Sequence, residues 1–233
     1  MAERKDEVLN SIVEEYIKTA VPVSSSLIVE KYFTDLSSAT VRNDMSELEE
    51  MGLIFQPHTS AGRIPTVNGY KRYLKSINID DWYDVPLKIK KGINEVLGFE
   101  EHDIKVMAKL LAEMSGGAIL IGFSPMNVYY TGISNIFRQP EFREQSIIFS
   151  ISEIIDHLDE VMNLIFHQVD DNLKIFLGDD NPFGELTSAV AVKCQVKKND
   201  ILVGILGPNR MDYKQNVSLL KYIQKTINEN NAK

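Results

Sequence analysis

Ser38, Thr40, Arg42 and Asn43 open one helical stretch, and they are residue types that a protein uses to read a nucleic-acid duplex. Arginine pairs with the O6 and N7 edge of guanine and asparagine with adenine, while small hydroxyls reach phosphate oxygens. A second polar set, His58, Thr59, Ser60 and Arg63, falls on the run His58-Thr59-Ser60-Ala61-Gly62-Arg63 between the apolar segments Leu53-Ile54-Phe55 and Ile64-Pro65. That run reads as a tight loop joining two short strands, a wing that tracks a phosphate backbone. The competing reading of the helix is a solvent-facing surface of mixed polarity. Glu47, Glu49 and Glu50 oppose DNA contact along its C-terminal half but spare its first turn, the part that docks in a groove.

Residues suited to catalysis do not gather. His58, His102, His157 and His167 are too scattered for a metal-ligand set. Asp170-Asp171 and Asp179-Asp180 flank a strand pattern, where turn chemistry explains them better than a carboxylate pair. Cys194 sits in a strand with no histidine nearby, as a small core residue would. Gly204, Gly207 and Pro208 make no phosphate loop, because no Gly-Lys-Ser/Thr follows. Arg210 reads as a structural tie before an anion contact. The expectation is a protein without catalytic residues, metal or cofactor, and so no enzyme.

With 44% apolar and 25% charged residues, the chain of 233 residues has the make-up of a globular protein and not of a disordered one. It has no run of apolar residues long enough to span a bilayer and no apolar segment after Met1 of the kind that leads export. A lone cysteine precludes an intramolecular disulfide, so the expected address is cytoplasmic. The net charge of −8 disfavours a nucleic-acid partner on average, but the average conceals a contrast. Residues 1–50 carry a net −6, residues 51–79 carry +4 with no acid at all, and the remainder carries −6.

The elements that must position these residues are legible from periodicity. Val8, Leu9, Ile12, Val13, Tyr16 and Ile17 form one helical stripe that Pro22 stops. Ser24-Ser25-Ser26 caps a short helix with Leu27, Ile28, Val29 and Tyr32, and Ser37 or Ser38 caps a third with Val41, Met45 and Leu48, ended by Gly52. After the two short strands, Thr66 caps a helix with Tyr70, Tyr73, Leu74 and Ile77 on one face. Three helices followed by a wing are the architecture of a winged helix-turn-helix, here over residues 1–78.

Residues 79–98 read as a linker region and 99–233 as a second domain, with helical spacing over Lys88–Met114. Ala118–Phe123 and Asn127–Phe137 read as partner strands, joined through Ser124-Pro125-Met126, and Ile147–Val169 as one helix. Leu173–Leu177, Thr187–Val196 and Ile201–Leu206 alternate like strands, the last two joined by the turn 197–200. Asp212 with Gln215 makes a capping-box variant before a final helix carrying Tyr213, Val217, Leu220, Ile223 and Ile227. The fold class is α+β, the second domain having an antiparallel sheet.

Several stretches also carry a resemblance. Pro22-Val23, the run from Ser37 to Met45, Leu48-Glu49-Glu50-Met51-Gly52, and Gln56 to Pro65 with Gly69-Tyr70 resemble the DNA-binding domain of the heat-inducible transcription repressor HrcA family. The likeness continues at Gly132-Ile133-Ser134-Asn135, at Gln139-Pro140-Glu141-Phe142 and at Gly207 to Tyr213, so the motifs run in order over about four fifths of the chain. The resemblance implies a GAF-like fold for the second domain and a place in the bacterial cytoplasm. It also implies repression of heat-shock (chaperone) genes at an inverted-repeat double-stranded DNA operator of CIRCE type, a homodimer, and help from the GroEL chaperonin. Family members carry a long insert, which contributes to dimerisation, between strands resembling Ala118–Phe123 and Asn127–Phe137. About three residues join those strands here, so this chain reads as a short member without the insert. Because GAF-like folds often hold small ligands, a ligand-sensing winged-helix regulator of other genes is the alternative.

Overall fold

The computed structural model describes residues 2–76, 85–96, 100–143, 145–197 and 199–231. The chain divides into two compact units, Met1–Asn78 and Ile79–Lys233, and the fold is of the α+β class.

In the first unit, α1 (Ala2–Thr19) buries Val8, Leu9, Ile12 and Val13 completely and ends at Ala20, which takes a positive φ of 54° two residues before Pro22. The Ser24 hydroxyl accepts from the Leu27 amide to start α2 (Ser25–Tyr32), and Ser37 does the same for the Thr40 amide at α3 (Ser38–Glu50). Each cap satisfies one of the amides that a helix start leaves unbonded, an effect worth about 1 kcal/mol. Gly52, at φ 68°, closes α3. A two-stranded antiparallel hairpin follows, β1 (Ile54–Phe55) and β2 (Ile64–Pro65), with Ile54 opposite Pro65. Thr66 then caps α4 (Val67–Ser76) by accepting from the Gly69 amide.

The second unit is built on a five-stranded antiparallel sheet of order β4-β3-β7-β6-β5, formed by β3 (Ala118–Ser124), β4 (Asn127–Thr131), β5 (Lys174–Leu177), β6 (Thr187–Val196) and β7 (Asn199–Pro208). Ala118, Leu120, Ala189, Ala191, Leu202 and Leu206 on one face pack with α7 (Ile133–Phe137), α8 (Gln145–Asp156) and α9 (Leu158–Gln168) around Phe142, Phe176 and Phe183. Ile119, Ile121, Val190, Val192, Val203 and Ile205 on the other face are equally buried. The helices α6 (Glu101–Ser115) and α10 (Tyr213–Asn231) pack on β3 and β6 and on each other.

Several sequence expectations need correction. Strands β6 and β7 do not alternate between buried and exposed, because both faces of the sheet are covered and every second residue has a partner layer. Asn127–Phe137 is not one strand: β4 stops at Thr131, Gly132 takes a φ of 79°, and α7 begins. The Asn135 carboxamide fixes that break by donating to the Ala112 and Gly117 carbonyls, both at 3.0 Å. Within the stretch read as linker, α5 (Leu87–Val96) forms, buries Ile93 and packs on α6, while 77–84 and 97–99 lie outside the described residues, as does Ile77. Helix α6 has its own start, since the Glu100 and Asp103 side chains form a capping box. The single helix read over Ile147–Val169 is two, parted at His157. The turn read over 197–200 is shorter, since Asn199 and Asp200 already belong to β7 and Val196 stands opposite Asn199. At α10, Asp212 caps the Gln215 amide, but the Gln215 side chain donates to the Met114 carbonyl instead of closing the box.

Candidate nucleic-acid interface

Helix α3 buries Val41, Asp44, Met45 and Leu48 at the spacing of one helical face. The opposite side therefore presents Ser38, Arg42 and Asn43 to solvent, and none of these three side chains is engaged by another among the described residues. Thr40 differs from its neighbours: its hydroxyl lies 2.9 Å from that of Ser37 and is spent on the cap. The acids of the helix, which oppose a phosphate partner in the sequence, are largely held within the fold. Asp44 is bidentate with Arg4 of α1 at 2.8 and 2.9 Å, Glu47 pairs with Lys5, and Glu49 pairs with Arg63. The Asp44 hydrogen bond, and then its charge, raise the Arg4 guanidinium further above its ordinary range. Arg42 is left as an unpaired cation beside a set of neutralised acids.

The loop between β1 and β2 is shaped from inside. The Ala61 amide donates to the His58 carbonyl at 2.8 Å, and the Gln56 carboxamide nitrogen donates to the Thr59 and Ala61 carbonyls at 3.0 and 2.8 Å. Both acceptors are carbonyls, so only the nitrogen of Gln56 can face them. Beyond the turn, the Arg63 backbone pairs with Val23 through two hydrogen bonds of 2.8 and 2.9 Å. Gly62 permits that approach, since a Cβ there would fall 2.4 Å from the Val23 carbonyl carbon. His58, Thr59 and Ser60 stand exposed at the tip.

Between α3, the start of α2 and this loop lies a cleft of about 330 Å³ whose lining includes Ser24, Ser25, Arg42, Thr59, Ser60 and Arg63. Four of the eight residues expected from the sequence thus meet in one place, while Ser38, Thr40, Asn43 and His58 lie outside the lining. Arg63 departs from the expectation of a phosphate contact, because its Nε and Nη2 both reach Glu49 Oε2 at 2.9 Å and its side chain is 17% exposed. The sequence reading missed Ser24 as part of the site, having read it only as a cap, and missed Gln56 and Glu49. Glu49 accepts the Gln56 amide at 3.0 Å and so touches both ends of the loop. No helical or strand period signals a contact between a helix residue and a loop that far along the chain.

The groups weighed for catalysis stay apart. Burial pushes the Cys194 thiol up to about 12, which leaves it protonated and inert. Asp170 accepts from the Asn172 amide at 2.8 Å as a turn residue does, and Asp179 and Asp180 fall in a 3-10 turn. Arg210 donates to Glu141 and, at 2.7 Å, to Gln139, an intramolecular tie. No group of three His, Cys, Asp or Glu among the described residues is placed to hold a metal ion, and no helix is long and apolar enough to cross a membrane.

Known proteins resemble the chain along nearly all of its length. The heat-inducible transcription repressor HrcA of Desulfitobacterium hafniense is 26% identical over 336 aligned residues, covering 98% of this chain and 97% of that protein. Since this chain has 233 residues, at least 103 aligned positions of that relative have no counterpart here. HrcA of Natranaerobius thermophilus is 41% identical over 121 residues, 51% of this chain and 35% of that protein. A crystal structure described as that of a hypothetical protein has the same fold, with a TM-score of 0.76 over 98% of each chain at 19% identity. A model of the HrcA protein C terminal domain matches residues 71–217, more than half of the sequence, and on that match the chain belongs to the HrcA family.

Proposed function

We propose that this protein is a transcriptional repressor of heat-shock genes whose first unit is a winged helix-turn-helix, with α3 as the reading helix and the β1–β2 loop as the wing. The observation that carries the reading is the outward face of α3, where Arg42 and Asn43 stand unpaired while Arg4, Lys5 and Arg63 neutralise Asp44, Glu47 and Glu49. In the major groove such a pair reads guanine and adenine edges, and Ser38, Thr59 and Ser60 supply hydroxyls for phosphates. The family relationship supports a homodimer and an operator of CIRCE type, and two copies of one reading head need half-sites related by two-fold symmetry, an inverted repeat. The family relationship supports a cytoplasmic protein, a GAF-like second unit and assistance by the GroEL chaperonin.

The alternative reading, a small-ligand sensor, would need a ligand cavity in the second unit, and one groove there is too small to be it. The groove there between α8 and residues 183–187 encloses about 100 Å³, below the roughly 300–1,000 Å³ of typical ligand sites.

The test is selection of duplexes from a randomised pool, followed by footprinting. The expected product is an inverted repeat with half-site centres about one or two turns of ~10.5 bp apart. Arg42→Ala and Asn43→Ala are each expected to cost about 1–3 kcal/mol on the selected duplex and little on mixed sequence. Enrichment of a single asymmetric site, or equal losses on both duplexes, overturns the reading.

A further inference from the structure

We propose that Glu49 is a positioning residue for DNA recognition: with Arg63 and Gln56 it braces the β1–β2 loop against α3, so that Arg63 acts through the loop and not on phosphate. This rests on the DNA-binding reading above.

The geometry divides the Glu49 carboxylate between two tasks. Oε2 takes the Arg63 guanidinium, at the C-terminal end of the loop, and Oε1 takes the Gln56 amide, at its N-terminal end. The Gln56 side chain then holds the loop's interior by donating to the Thr59 and Ala61 carbonyls. One helix residue thereby fixes both ends of the segment that displays His58, Thr59 and Ser60, and it lies on the same helix as Arg42 and Asn43. A preset spacing between the reading helix and the wing removes an ordering cost that a free loop would meet on binding. The arrangement also accounts for an acid beside a surface that faces phosphates. Glu49 costs some long-range attraction, but its charge is offset by Arg63 at 2.9 Å and gives the loop its shape.

Simple electrostatics and the brace predict opposite signs for Glu49→Gln, which makes the proposal testable. Removing an acid and releasing Arg63 would tighten DNA binding if charge alone mattered. The brace predicts weaker binding to the duplex selected by the wild-type chain, by roughly tenfold, the worth of one charge-assisted hydrogen bond. Amide hydrogen exchange of the free variant is expected to quicken at Gln56, Ala61 and Arg63 while the amides of α1 and α4 stay protected, which separates a loosened loop from an unfolded unit. Arg63→Gln is expected to weaken binding to a similar extent, and the double substitution no further than either single one. Arg63→Gln is also expected to leave the salt dependence of affinity unchanged, as the loss of a side chain that touches no phosphate does.

If Glu49→Gln binds as tightly as the wild type or tighter, or if the three loop amides exchange at wild-type rates, the positioning role falls and the DNA-binding reading stands. A reduced salt slope for Arg63→Gln likewise overturns it, since Arg63 would then be touching phosphate. If the wild-type chain enriches no duplex at all, the functional reading falls and the positioning role falls with it.

Discussion

Both units of the chain bury an apolar core, and they differ in what is added to it. In the first, ion pairs reach across helices: Arg4 to Asp44, Lys5 to Glu47, Arg72 to Asp6, Lys31 to Glu15 and Arg63 to Glu49. In the second, a sheet buried on both faces carries the structure, with Phe142, Phe176 and Phe183 filling the space under α7, α8 and α9. Size explains part of the contrast, because a unit of about 78 residues has proportionately little interior to bury. Purpose explains the rest. On the proposed reading, α3 offers its outer face to DNA and can be gripped only from its inner face and flanks, where ion pairs add to the apolar packing that sets its rotation. The lesson is that the first unit should respond to charge and pH, and the second to lost volume.

The largest expected effect tests the second half of that contrast. Phe176 is completely buried among core side chains from β6, α8 and α9, and Phe176→Ala should destabilise its unit by about 3–5 kcal/mol. Calorimetry should then show one transition falling while the helical signal of the first unit melts at its original temperature. A common fall of both would mean that the two units unfold as one, and the comparison would break.

A smaller effect, of about 1–2 kcal/mol, is expected at Glu15 of α1. Its carboxylate accepts from Lys31 at 2.9 Å and from the Tyr32 hydroxyl at 2.7 Å, and these bonds, Lys31 first, hold its pKa below the usual carboxylate value of 4.5. A group whose pKa is depressed by folding adds stability above the unfolded pKa and loses it as pH falls through the folded one. Glu15→Gln should therefore lower the melting temperature of the first unit at neutral pH, with the gap to the wild type closing below about pH 4.5. A gap independent of pH would assign Glu15 a packing role instead of an electrostatic one.

The smallest effect sharpens the boundary between the two regimes. Lys105 of α6 stands 5.8 Å from the Phe123 ring centre and 5.3 Å from that of Tyr129, a cationic contact in the apolar unit. Lys105→Met keeps the aliphatic stem and removes the charge both from these rings and from its 2.6 Å pair with Glu101, and the expected loss is about 0.5–1 kcal/mol in thermal melts. A loss several times larger would show that charge matters in the second unit as much as in the first.

The insert that the family resemblance places between β3 and β4 would fall, in this chain, at a tight hairpin. Strands β3 and β4 are joined through Pro125 and Met126 in a tight antiparallel hairpin. The pairing of β3 with β4 is regular from Ile119 to Gly122 and shifts once, between Gly122 and Ser124. A segment can be absent at such a point because the flanking strands carry their own pairing.

Sequence alone determined the features whose physics is local. The caps were legible to within a residue or two, as the run Ser24-Ser25-Ser26, as Ser37 or Ser38, and as Thr66, because a hydroxyl and the amide it serves lie within three residues of each other, and the buried stripe of α3 was legible because it repeats with the helical turn. Arg42 and Asn43 followed as the outward face of the same period. Tertiary structure decided the rest. The break at Gly132 depends on carbonyls of Ala112 and Gly117 that Asn135 reaches from 23 and 18 residues away. The absence of alternation in β6 and β7 depends on layers of helix covering both faces of the sheet. The role of Arg63 depends on Glu49, 14 residues earlier. Such partners are brought together by the folded path of the chain, and a linear pattern records only what each residue can do and not which partner reaches it first.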